Sequence, residues 1–314
     1  MAASAATTQA LSAASSLARV SDASLCSSQS IAGCRVCPAP TIKKISQLRR
    51  LNVAASAGQA DAPSRQDVLR PFAEKKAFKV IAGLKNFNRE NVAEIVAAAE
   101  QGGATHVDIA CDPELVKLAC SLTSVPVCVS AVEPELFVPA VAAGATMVEI
   151  GNYDPFYAEG RTFDAEEVLA LTRRTRQLLP TIPLSVTVPH TLPLPDQVHL
   201  AELLENAGAD IIQTEGGVSS APTQAGVAGM IEKASPTLAA AYSISRAVSI
   251  PVMCASGISD VTASMAIAAG AAGVGVGSAI NKLNSGIAMI AATRAIANAL
   301  GLVSQESRER LAQH

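Results

Sequence analysis

From about Phe78 the chain alternates short apolar, β-branched runs with longer Ala-rich segments of helical periodicity, and a Gly-Ala pair or a proline precedes most new runs. The pattern predicts strands at Lys79 to Asn86, His106 to Cys111, Pro126 to Val132, Met147 to Asn152, Pro183 to Val188, Ile211 to Glu215, Pro251 to Ser256 and Gly273 to Gly277. Helices are expected near 88–101, 113–122, 134–143, 164–178, 196–207, 235–247, 260–269 and 285–300. Eight such units in about 225 residues are the count and size of an α/β fold of the (β/α)8 TIM-barrel type. A doubly wound open sheet is the alternative, but it calls for a GxGxxG turn after its first strand, and Ala82-Gly83-Leu84-Lys85 supplies none. The barrel is assigned to residues 78–302, preceded by a linker or helix at 55–77 and followed by a tail at 303–314.

Side chains alternate faces along a strand, and the face turned toward surrounding helices should be apolar. Val107 and Ile109 therefore point outward and His106, Asp108 and Ala110 inward; Val148 and Ile150 point outward and Met147, Glu149 and Gly151 inward. Ser185 and Thr187 turn inward on the fifth strand, and Gln213 and Glu215 share a face with Ile211 on the sixth. On the first strand Gly83 and Lys85 lie opposite Val80, Ala82 and Leu84. The expected interior cluster is Lys85, Asp108, Glu149, Gln213 and Glu215. Buried charges are costly unless paired, so the cluster is either a structural salt-bridge network or a catalytic set.

Composition narrows the setting. The chain has 314 residues, of which 49% are hydrophobic and 16% charged, enough to bury a large core. Residues 1–54 are rich in Ala and Ser, and the first sixty residues hold six basic side chains against the single acid Asp22, the pattern of a chloroplast transit peptide or of a disordered tail. The rest of the chain carries an acidic excess, which argues against binding to nucleic acid. Membrane insertion is not expected, because the longest apolar stretch, Ile287 to Leu300, is broken by Arg294. Three of the seven cysteines (Cys26, Cys34, Cys37) fall in the leader, and the remaining Cys111, Cys120, Cys128 and Cys254 have no metal-ligand spacing, with or without the four histidines.

Five stretches carry a family likeness: Lys79-Val-Ile-Ala-Gly-Leu-Lys-Asn86, His106-Val-Asp-Ile-Ala-Cys-Asp-Pro113, Glu149-Ile-Gly-Asn-Tyr-Asp154, Gln213-Thr-Glu-Gly-Gly217 and Ala255-Ser-Gly-Ile258. Together, over residues 76–300, the chain resembles the plastid and cyanobacterial family called hypothetical chloroplast reading frame twenty-three. The resemblance implies a stromal protein with an aldolase-type barrel and implies no particular reaction or cofactor. More distantly, the barrel looks like the phosphate-binding group that includes tryptophan synthase alpha chains, thiazole synthases and phosphoribosyl isomerases, an analogy of fold alone.

In barrels of that class the site lies at the C-terminal ends of the strands, and phosphate binds the loops after strands seven and eight. Here those loops offer Ser256, Gly257, Gly275, Gly277 and Ser278, whose small size admits an anion to backbone N–H groups; the glycines have an alternative role in tight helix–strand packing. A small phosphorylated ligand is the expected partner. Lys85 would neutralise a substrate anion or serve as a Schiff-base nucleophile, Asp108 or Glu149 would be the general acid or base, and Glu215 lies near the mouth. Asn86, Asn152 and Gln213 would orient substrate or act as loop and cap residues. Gly216 to Gly229 reads as a lid, while Asn152 to Gly160, with Tyr153 and Tyr157, reads as an ordered cover or as the wall for a ring-bearing ligand. His190 is an acid–base candidate or a turn residue. The function expected is metal-independent lyase, isomerase or synthase chemistry on a phosphorylated metabolite. A non-catalytic metabolite-binding regulator and a flavin-phosphate protein are the alternatives.

Overall fold

The computed structural model describes residues 63–217 and 222–302. The leader at 1–54, the tail at 303–314 and the middle of the expected lid, 218–221, lie outside the described residues. Eight parallel strands close into one barrel in sequence order: β1 (Ala77–Ile81), β2 (His106–Ala110), β3 (Val127–Ala131), β4 (Met147–Ile150), β5 (Leu184–Thr187), β6 (Ile211–Gln213), β7 (Val252–Ala255) and β8 (Gly273–Val276). Closure is made by β1 pairing with β8, with Ala77 beside Gly273 and Lys79 beside Gly275. The fold is an α/β barrel of the aldolase type.

Helices α1 (Arg65–Ala73), α2 (Arg89–Gly102), α3 (Pro113–Leu122), α4 (Phe137–Ala142), α5 (Asp154–Tyr157), α6 (Ala165–Leu178), α7 (Leu194–Asn206), α8 (Gly226–Ile244), α9 (Ala263–Ala268), α10 (Ser278–Asn281) and α11 (Gly286–Ala299) complete the described part. Outward-facing Val80, Val107, Ile109, Val129, Val148, Val186 and Ile212 are buried against them. That apolar belt is why strand segments of only three to five residues hold their register. The Gly-Ala pairs sit where helices hand over to strands, with Gly103 capping α2 in a left-handed turn that closes onto the Ala99 and Glu100 carbonyls. No helix among the described residues is long and apolar enough to cross a membrane.

Inside the barrel the lowest layer is apolar, built from Ala77, Cys128, Met147, Ile211 and Met253 and closed from beneath by Val68 and Phe72 of α1. Ser64 and Asp67 form a capping box that starts this helix. His106 joins it to the barrel: its Nε2 lies 2.9 Å from the Val68 carbonyl and its ring packs against Phe72. Burial pushes the His106 pKa down to about 4, so the ring is neutral and Nε2 carries the proton for the carbonyl.

Two expected elements differ. β1 ends near Ile81 and not at Asn86: the Ala82 N–H makes the last bond to β2, on the Asp108 carbonyl, and Gly83 then turns the chain out of the sheet at φ +111°. α8 starts at Gly226, so the last residues of the expected lid are helical. The Glu232 carboxylate explains the early start: it accepts the N–H groups of Thr223 and Gln224 and the Thr223 hydroxyl, tying the entry of the helix to its own second turn.

Candidate functional site

The middle layer of the barrel interior is polar and sealed. Lys79, Asp108 and Glu149, on β1, β2 and β4, are all fully buried. Lys79 Nζ donates to Glu149 Oε2, while Glu149 Oε1 accepts Gln213 Nε2 at 2.8 Å and Asn152 Nδ2 at 3.2 Å. Ser130 Oγ lies 2.7 and 2.8 Å from the two Asp108 oxygens, and Asn152 Nδ2 reaches Oδ2 at 3.0 Å. Burial alone would pull the Lys79 ammonium down, but Glu149 and Asp108 outweigh it and hold its pKa above the ordinary value. Burial also pushes Asp108 up, to about 7, against the pull of Lys79 and with the help of Glu149. One cation thus serves two carboxyl groups, and the second keeps its proton below neutral pH.

Above that layer, at the C-terminal ends of the strands, a cavity of about 730 Å³ opens. It is lined by Ile81, Asn152, Thr187, Gln213 and Glu215, at or just beyond the ends of β1, β4, β5 and β6, and by Ser256, Gly257, Gly275, Gly277 and Ser278, at the ends of β7 and β8. Two residues of its wall, Asn152 and Ser256, adopt left-handed backbone with φ of 63° and 74°. Such conformations are rare for residues with a side chain and cluster at ligand sites. Gly257 follows at φ +73°, where a Cβ would fall 2.7 Å from the Lys233 carbonyl oxygen, so only glycine lets α8 approach this turn. The N–H groups of Gly257 and Ile258 make no hydrogen bond among the described residues. Lys233, from α8, and Lys282, just after α10, also line the cavity, and neither is in an ion pair among the described residues.

At the rim, Glu215 is held by three donors on one oxygen. Tyr157 Oη reaches Oε2 at 2.9 Å, the His190 backbone N–H at 3.3 Å, and His190 Nδ1 lies 3.0 Å away. The hydrogen bond to Glu215 raises the His190 pKa against the effect of its burial. Asp154 lines the same side; burial and the nearby Glu215 push its pKa up to about 6.

The structure therefore redistributes the expected interior cluster. Gln213 and Glu215 line the cavity, as does Asn152. Asp108 and Glu149 are inside the barrel but line no part of the cavity, being covered by Asn152 and Gln213, the very residues that donate to them. Lys85 is not interior: it is exposed, pairs with Glu159 and sits 4.4 Å from the Phe156 ring centre. With β1 ending at Ile81, the inward lysine is Lys79, which has the same parity in the sequence. Asn86 is spent in the turn into α2, where it donates to Asn91 Oδ1 and to the Ala82 carbonyl. Neither Tyr153 nor Tyr157 lines the cavity. Tyr153 is fully buried, stacked on Phe163 and bonded to the Thr187 carbonyl, and Tyr157 is turned to Glu215. His190 is at once a turn residue and the partner of Glu215. Lys233, Lys282 and Asp154 were not singled out from the sequence, since nothing in their local pattern separates them from solvated charges. Among the described residues no three His, Cys, Asp or Glu side chains gather as a metal site.

Solved structures with the same architecture include (S)-3-O-geranylgeranylglyceryl phosphate synthase from Thermoplasma acidophilum in complex with sn-glycerol-1-phosphate, at a TM-score of 0.53 and 15% identity, covering 76% of this chain and 98% of that one. A 3-hexulose-6-phosphate synthase matches at a TM-score of 0.51 and 15% identity, over 71% of this chain and 99% of its own. At such identities the likeness is one of fold. Relatives by sequence are much nearer. The uncharacterized protein ycf23 of Cyanophora paradoxa is 46% identical over 218 residues, 69% of this chain and 89% of that protein. The ycf23 protein of Pyropia yezoensis is 39% identical over 224 residues, 71% and 82% of the two chains. These algal homologues are plastid proteins, which gives the family a plastid origin. The family model described as "Protein of unknown function (DUF561)" matches residues 64–306, and the chain belongs to that family.

Proposed function

We propose that this protein is a stromal barrel that binds a phosphorylated small molecule at the C-terminal mouth of its strands and moves a proton on it with Glu215. One observation carries the reading: a single cavity joins the turns at Ser256–Gly257 and Gly277–Ser278, with Lys233 and Lys282 beside them, to Glu215 and Gln213. The free N–H groups of Gly257 and Ile258, the two serine hydroxyls and the two unpaired lysines are the donor set a phosphoryl group requires. Glu215 has Oε2 fixed by Tyr157 and His190, which leaves Oε1 for the ligand and gives it a protonatable neighbour through which to exchange a proton. Asp108 and Glu149 act from beneath, orienting the amides of Asn152 and Gln213, and are positioning residues and not the acid–base pair.

Titration of the full chain with inorganic phosphate and with phosphorylated metabolites from a plastid extract, followed by calorimetry, tests this reading. The double change Lys233→Ala with Lys282→Ala should weaken phosphate binding by about a hundredfold or more, since each charge-assisted contact contributes about 1.5–3 kcal/mol. Its melting temperature should stay close to that of the parent. Undiminished phosphate affinity in that variant, or none in the parent, would overturn the assignment. The sealing of Asp108 and Glu149 also favours a second reading, a metabolite-binding regulator without turnover. Under that reading Glu215→Gln changes affinity while no bound metabolite is ever converted by the parent protein.

A further inference from the structure

The cavity wall is chemically one-sided. Gln213 is 1% exposed, and its Nε2 is committed to Glu149 Oε1 at 2.8 Å and to Thr187 Oγ1 at 3.1 Å. The carboxylate fixes the amide orientation, because a flipped Gln213 would set its carbonyl oxygen against Glu149 Oε1. Its Oε1, on a residue that lines the cavity, is consequently left with no hydrogen-bond partner among the described residues. An unmet buried acceptor costs about 1–3 kcal/mol. The space beside it is kept free by Gly275, whose Cβ would stand 3.3 Å from Oε1, and is otherwise bordered by the Ile81 δ-methyl and Ala255 Cβ.

The same bias continues up the side. Asn152 directs its Nδ2 downward to Asp108, Ser130 and Glu149. Asp154 Oδ1 is a second buried oxygen with no partner among the described residues. Glu215 receives all three of its donors on Oε2. The buried Lys79–Glu149 pair thus draws the amide donors of Asn152 and Gln213 down into the barrel, and two residues that line the cavity, Gln213 and Asp154, keep a buried acceptor without a donor among the described residues.

We propose that this acceptor side selects hydrogen-bond-donating groups, hydroxyl or amine, on the molecule whose phosphoryl end occupies the Ser256–Gly257 and Gly277–Ser278 turns. The ligand class is therefore a polyol phosphate or an aminoalkyl phosphate, and an alkyl or acyl phosphate lacking such donors is discriminated against. The inference rests on the phosphate reading above and adds what the rest of the ligand must carry.

Calorimetry on the full chain with four probes separates the two: inorganic phosphate, pentyl phosphate, 5-aminopentyl phosphate and ribitol 5-phosphate. At least one of the two donor-bearing esters should bind about tenfold more tightly than pentyl phosphate, as expected for satisfying one or two buried acceptors. Preference for the amine would assign an ammonium-bearing ligand, and preference for ribitol 5-phosphate a polyol. Gln213→Leu should bring the preference within about twofold while leaving inorganic phosphate affinity in place. Because that change also strips a donor from Glu149, Gly275→Ala, whose Cβ would stand 3.3 Å from Oε1, provides a second variant that narrows the approach to Oε1 while deleting no donor of the network, and the ratio of ester affinities should move in the same direction. Equal binding of pentyl phosphate and both donor-bearing esters, or a preference that survives both variants, would overturn the inference and leave phosphate binding standing. Failure of all four probes to bind would remove the phosphate reading and this inference with it.

Discussion

The barrel interior contains two polar regions of similar composition and opposite condition. In the sealed layer, Lys79, Asp108, Ser130 and Glu149 all find partners, and only the Ser185 hydroxyl at that level lacks one among the described residues. At the mouth, built from the same kinds of side chain, Gln213 Oε1 and Asp154 Oδ1 have no partner, Lys233 and Lys282 have no counter-ion among the described residues, and Ser256 and Asn152 hold left-handed backbone. Carboxylates and lysines in a barrel do not by themselves mark the site. What distinguishes the mouth is that unmet acceptors, lysines without a counter-ion and left-handed turns converge on one cavity, whereas the Ser185 and Thr175 hydroxyls, also without a partner among the described residues, stand singly. The sealed layer supports that site by spending the amide donors of Asn152 and Gln213, which decides what the mouth presents.

The contrast can be broken most strongly from below. Glu149→Gln strands the Lys79 ammonium in the barrel and should cost about 3–5 kcal/mol of stability. The joint replacement Lys79→Met with Glu149→Leu should recover most of that loss, read by urea unfolding. A single replacement as stable as the parent would show that the pair is not the closed ion pair described. Recovery in the double variant should nevertheless leave ligand selectivity altered, since the Gln213 amide is then free to turn.

A smaller effect concerns pH. Asp108 has a folded pKa near 7 against an ordinary value of about 3.9, so between those limits the folded protein holds a proton that the unfolded chain releases. Unfolding then releases a proton, and rising pH favours it: stability should fall as pH climbs from about 4 to 7 and level off above. Asp108→Asn should flatten that slope in thermal melts collected across the interval. An unchanged slope would remove Asp108 as its source.

The smallest change sharpens the rim. Tyr157→Phe deletes one donor to Glu215 and should destabilise the protein by about 1 kcal/mol. With less of its charge neutralised, Glu215 should hold the His190 proton more tightly, and the histidine pKa followed by NMR should rise further. A fall in that pKa would mean that His190 and Glu215 are not directly paired.

How far the sequence reaches can be judged at individual positions. Inward parity was correctly legible for Asp108, Glu149, Ser185, Thr187 and Gln213, because period-two alternation survives in strands packed against an apolar helix layer. The same parity includes Lys79, yet the apolar run continues to Asn86 and its alternation points inward equally at Lys85, at the far end. What separates the two lysines is where the chain turns out of the sheet, at Gly83 with φ +111°, just beyond the last rung from the Ala82 N–H to the Asp108 carbonyl. The start of α8 was hidden in a stretch of small residues that reads locally as loop and becomes helix when Glu232 caps it.

By itself, then, the chain determined the eightfold alternation, the barrel class, the inward face of most strands and the Gly-Ala handovers. All of these follow from local periodicity and from backbone conformations that few residues adopt. Tertiary structure decided which charges are sealed and which face the cavity, that Lys233 and Lys282 flank the Ser256–Gly257 and Gly277–Ser278 turns, and that Glu215 meets His190 and Tyr157. Those facts depend on side chains from separate strands and helices converging at one end of a closed barrel, where burial and neighbouring charge set which protons are held, and no local pattern encodes that convergence.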